Sequence, residues 1–105
     1  MPDIGYQSWS PSLTSVHVPF IHNVTLDLAN TEYVHVCTVG IKAIMIKPRN
    51  PQHLLKIAWA EGESDTNYIS FRNGCYWADK LGLSTLVIFL QSPDAGCVVE
   101  IEHWI

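Results

Sequence analysis

From Val24 onward, apolar and polar side chains alternate with a period of two, the pattern of strands that turn one face to a core and the other to water. Val24, Leu26 and Leu28 alternate with Thr25 and Asp27, which predicts all three apolar residues inward. Tyr33 to Val39 and Ile41 to Lys47 are β-branched and aromatic segments, with Gly40 where a tight turn or bulge belongs. Two prolines break the stretch Lys47-Pro48-Arg49-Asn50-Pro51-Gln52. Leu54 to Ala60 then resumes the alternation with Leu55, Ile57 and Trp59 on one face, placing Trp59 in the core. The polar loop Glu61 to Asn67 follows, then Tyr68-Ile69-Ser70-Phe71, and the turn signal Arg72-Asn73-Gly74 leads into Cys75-Tyr76-Trp77. Ala78 to Ser84 is the one stretch that suits a short helical turn, although Gly82 opposes it. Thr85 to Gln91 and Cys97 to Trp104 flank the turn Ser92-Pro93-Asp94-Ala95-Gly96 and read as a hairpin, with Val99 and Ile101 inward and Glu100 and Glu102 outward.

About eight short strands at roughly 8–12-residue spacing argue an all-β fold, a β-sandwich with the jelly roll as its favoured topology. Residues 1–22 differ from the rest. Prolines at 2, 11 and 19 favour extended backbone, no period is sustained, and Val16, Val18, Phe20 and Ile21 supply apolar surface that needs a partner. The expected organisation is an extended N-terminal arm over 1–22 and a sandwich domain over 23–105.

Composition narrows the partners. Six Lys and Arg against ten Asp and Glu give a net charge of −4, so the basic footprint that binds a phosphate backbone is missing and nucleic acid is not an expected partner. No apolar run approaches the roughly 20 residues of a membrane helix, and the first residues lack the basic and apolar regions of a secretory signal. No membrane partner and no secretory export are therefore expected. Cys37, Cys75 and Cys97 are odd in number and form no CxxC pair, which suits buried reduced thiols in a chain made in the cytoplasm.

None of the candidate chemistry survives a test of spacing. His17, His22, His35, His53 and His103 never form the His-x-His that places two imidazoles on one strand face, and His17 and His22 lie an odd number of positions apart. Glu61, Glu63 and Asp65 alternate like the first ligands of a calcium loop, but Thr66 and Arg72 stand where such a loop needs glycine and glutamate. Glu100 and Glu102 share the outer face of a terminal strand and read as surface carboxylates. His35 and Cys37 share a face without a third group to orient a base. The expectation is a protein without catalytic residues, metal or cofactor.

Four tryptophans and four tyrosines are the unusual feature. Aromatic side chains offer large contact area at low entropic cost, which serves protein interfaces and sugar stacking alike. Tyr6, Trp9, Val18 and Phe20 are expected as interface anchors of the arm, and Tyr76, Trp77 and Trp104 as an exposed aromatic patch. Interface use is favoured because Trp9 lies in an arm that must dock. The alternative is a carbohydrate-binding or tail-associated module using the patch.

Thr31-Glu32-Tyr33, Gly40 with Ile44-Met45-Ile46-Lys47-Pro48-Arg49, Leu55-Lys56-Ile57-Ala58-Trp59-Ala60-Glu61-Gly62-Glu63-Ser64, Leu90-Gln91-Ser92-Pro93 and Val99-Glu100-Ile101-Glu102-His103-Trp104 together resemble small all-β virion structural proteins of tailed bacteriophages, of the capsid decoration or cement type. The likeness spans about residues 24–105 and rests on strands and turns rather than on a chemical signature. It implies a homo-oligomer, preferably a trimer, seated on the capsid surface against the major capsid protein or another virion protein. It also implies no catalysis. Copies on a lattice make weak contacts additive.

Overall fold

The structure, a computed structural model, describes residues 19–38 and 40–105. Eight strands form: β1 (Phe20–Leu26), β2 (Tyr33–Cys37), β3 (Ala43–Pro48), β4 (Leu55–Ala58), β5 (Ile69–Phe71), β6 (Tyr76–Ala78), β7 (Leu86–Gln91) and β8 (Cys97–Trp104). They make two four-stranded antiparallel sheets, ordered β1-β8-β3-β6 and β2-β7-β4-β5. Among the described residues the sole helical element is a 3-10 turn at Glu63–Asp65.

Alternation along the strands builds the core. Leu26, Ile44, Ile46, Cys97, Val99 and Ile101 from the first sheet meet Cys37, Leu55, Ile57, Ile88 and Leu90 from the second, all buried, so two apolar faces close on each other as a β-sandwich. The antiparallel pairs are nested: β1 with β8, β2 with β7, β3 with β6 and β4 with β5, while β3–β8 and β4–β7 pairing knits them into sheets.

Several expectations need correction. β7 and β8 do not form a hairpin: β7 pairs with β2 and β4, β8 with β1 and β3. Gly96 does take the positive φ that its turn requires, at 78°. A turn signal reports that the chain reverses, and in a sandwich the reversed strand is free to join the opposite sheet. The links at Gly40 and at Arg72-Asn73-Gly74 cross between sheets in the same way. β1 already begins at Phe20, so the boundary expected after residue 22 falls inside a strand, and Phe20 belongs to the sheet rather than to an arm. Leu28 is exposed because β1 ends at Leu26, and alternation buries residues only while the strand lasts. Trp59 is 41% exposed for the same reason, one residue past the end of β4. No helix forms over Ala78–Ser84. Lys80 has φ 59° and Ile41 bridges Leu83, whereas the 3-10 turn sits in the loop between β4 and β5.

Candidate functional site: outer aromatic face and buried histidines

The outer face of the β1-β8-β3-β6 sheet carries Ile21, Met45, Lys47, Trp77, Glu100, Glu102 and Trp104. The register places Met45 between Trp77 and Glu102, and Ala43 beside Trp104. Trp77 is 51% exposed and meets Trp104 edge-on, with ring centroids 5.4 Å apart and planes at 76°. Tyr76 leaves this patch. It is the inward neighbour of Trp77, pairs with buried Ile46, and lies 5.6 Å from the ring of Trp59. With Ile44, Ala78, Leu81, Leu83 and Leu86, these two rings line an apolar groove of about 220 Å³ at the rim of the core. The expected aromatic trio is thus a pair on one face and a single ring on the other. On the same outer face, Glu100 accepts from Lys47 at 2.7 Å and from Arg49 at 2.8 Å, and both bonds hold its carboxyl below the usual carboxylate range. These side chains are partly exposed, so the pairs contribute little to stability.

Tyr6, Trp9 and Val18, expected as arm anchors, lie outside the described residues. Phe20 faces His103 across the β1–β8 pair, and their rings stack at 5.2 Å.

That stack leads into a cluster that spacing along the chain does not reveal. His22 from β1, His103 from β8 and His35 from β2 meet between the sheets: His22 stands 5.4 Å from His103 with nearly parallel rings, at 7°, and 4.9 Å from His35. His103 is only 3% exposed. Among the described residues, both of its ring nitrogens, and Nε2 of His35, are buried without a hydrogen-bond partner. Burial lowers the pKa of His35 and of His103, and the charges of neighbouring histidines lower each further. Two stacked parallel rings direct their lone pairs along separate planes, and among the described residues no three His, Cys, Asp or Glu groups are placed to hold a metal ion.

A second polar cluster lies in the loop between β4 and β5. The Glu32 carboxylate accepts from the Gly62 backbone N–H at 2.9 Å, from the Ser64 N–H at 3.3 Å and from the Ser64 hydroxyl, while Gln91 Nε2 donates to Ser64 Oγ at 3.1 Å. The Ser64 hydroxyl, then the Gly62 N–H, hold the Glu32 carboxyl below its usual range. This is an anchor for the loop, with Glu32 seated at the start of the 3-10 turn. Of the cysteines, Cys37 and Cys97 are buried, with thiols pushed up by burial, but Cys75 is exposed and departs from the expectation of three buried thiols. Among the described residues no helix is long and apolar enough to cross a membrane.

Comparison with protein-family models, with curated proteins and with solved structures finds no match for this chain.

Proposed function

We propose that this chain is a non-catalytic jelly-roll assembly protein of the virion-structural kind, one that packs against copies of itself and against shell proteins of a phage particle through its outer sheet face and leading arm. The nested pairing of β1 with β8, β2 with β7, β3 with β6 and β4 with β5 supports the jelly-roll reading, because one long antiparallel ribbon rolled on itself produces that nesting. The observation that carries the functional reading is the outer face itself. Ile21, Met45, Arg49, Trp77 and Trp104 stand there on a body whose core is already complete, and aromatic, Met and Arg side chains are the types enriched at the centres of protein interfaces.

Sugar stacking suits this geometry less well. Tyr76 points inward toward Trp59, away from Trp77 and Trp104, so the three rings form no single stacking platform.

Sedimentation of the full chain tests the reading: a trimer that dissociates on Trp77→Ser is expected, and a monomer at every concentration contradicts it. Removal of residues 1–18, which spares β1, should leave the sandwich folded and weaken binding to empty capsids. Undiminished binding would exclude the arm from the contact. Saturable binding on a glycan array would favour the carbohydrate module instead.

A further inference from the structure

The three histidines fit neither the core they sit in nor the assembly surface outside it. A neutral imidazole has one N–H and one lone pair, and protonation turns both nitrogens into donors. Among the described residues both nitrogens of His103 already lack partners inside the sandwich, and so does Nε2 of His35. A proton gained at His103 creates a buried charge with no acceptor among the described residues, stacked on the His22 ring, and a proton held at Nε2 of half-buried His35 does so beside that same ring. We propose that His22, His35 and His103 form an acid-responsive latch: protonation of the buried rings loosens the end of the sandwich where β1 and β2 close against β8, while the remaining strands stay paired.

Each element at the cluster bears on this. β1 supplies His22 and the Phe20 ring, β8 supplies His103, and β2 supplies His35 with the buried Cys37 two positions along the same face. Cys37 stays a neutral thiol throughout the acid range, its pKa raised by burial. The residues opposite the rings in register do not titrate: Ile88 of β7 faces His35, Ile44 of β3 faces His103, and Ile101 faces His22. Glu100 and Glu102 lie on the outer face of β8. Among the described residues no carboxylate acts on the His35 or the His103 ring. The Phe20 face attracts an imidazolium weakly, which does not replace hydration lost at two ring nitrogens. Among the described residues β1 and β2 are also the edge strands of their sheets on this side, each paired there with one neighbour.

The sign follows from the lowered pKa values. The open or unfolded state takes up protons near the ordinary value of 6.5, while the closed state resists them to lower pH. Closure is therefore fully stable above about 6.5 and loses stability as pH falls from there toward the folded values. Glu32 and Glu100 titrate below the ordinary carboxylate value of 4.5, so their contributions begin to fall only below that value, after those of the histidines have begun to fall.

Thermal unfolding of the full chain at pH 7.5 and 5.5, with imidazole titration followed by NMR, tests the latch. The expected result is a Tm lower by about 5 °C or more at pH 5.5, with His35 and His103 both titrating below 6.5. His103→Phe keeps a flat ring against Phe20 and should remove about half of that drop. Equal Tm values at the two pH values, or titration of both rings at or above 6.5, overturn the proposal. So does stabilisation by equimolar Zn²⁺ that is lost in His103→Phe, since the cluster would then be a metal centre. If His103→Phe does not fold, the titration of the parent protein decides.

Discussion

Ser64 and His103 are both buried in the same sandwich, yet they are built into it in opposite ways. Ser64 donates to Glu32 and accepts from Gln91, and Glu32 gathers two backbone N–H groups besides, so the Ser64 hydroxyl and the Glu32 carboxylate are both matched. His103 has stacking neighbours but, among the described residues, no hydrogen-bond partner at either nitrogen. A matched polar cluster rigidifies the fold, whereas an unmatched one is tolerated only while it stays neutral. The loop corner is thus a fixed anchor and the histidine end a conditional one.

The contrast can be broken from several directions. The apolar layer between the two clusters gives the scale: Leu90→Ala, at a fully buried position, should cost about 3 kcal/mol in urea denaturation at pH 7.5. Glu32→Ala leaves the Ser64 hydroxyl and two N–H groups without their acceptor and should cost about 2 kcal/mol, with a smaller loss for Glu32→Gln. Acid separates the clusters by window. The histidine end weakens as pH falls below about 6.5. The Glu32 and Glu100 contributions are complete above 4.5 and disappear only as pH drops through their lower folded values. Denaturation midpoints should begin to fall below about 6.5 and fall more steeply below about 4.5, and Glu32→Gln should diminish the steepening below 4.5 alone. Trp77→Ser is the mildest change for the fold, within about 0.5 kcal/mol by the same denaturation because the ring is half exposed, while its effect on self-association is the larger one.

Strand positions were legible in the sequence because alternation is local: Ile44 and Ile46 in β3, or Val99 and Ile101 in β8, announce an inward face by their spacing alone. Strand partners were not. Thr85 to Trp104 carries a proper turn, yet which sheet receives β8 depends on contacts with β1 and β3 far away in the chain. The ends of strands were equally hidden, which is why Leu28 and Trp59 were expected inside. The candidate site divides along the same line. Trp77 and Trp104 stood out as unusual side chains at outward positions, and the structure brings them into contact. The histidine cluster was invisible, since His22, His35 and His103 come from three strands and only the pairing of β1 with β8 and the closing of β2 over them makes them neighbours. The usable signal was that each occupies an inward position of its strand, alternating in phase with Val24, Cys37 and Ile101. Glu32 was hidden in the same manner, its partners lying about 30 residues away across a loop.

Residue-resolved amide hydrogen exchange at pH 7.5 and 5.5, corrected for intrinsic exchange rates, bears most directly on the conditional anchor. Protection should fall at pH 5.5 in Phe20–Leu26 and Tyr33–Cys37 while the amides of β4, of β7 where it pairs with β4, and of Ser64 keep theirs. Equal protection of both regions at the two pH values, or a uniform loss across all eight strands, would contradict it.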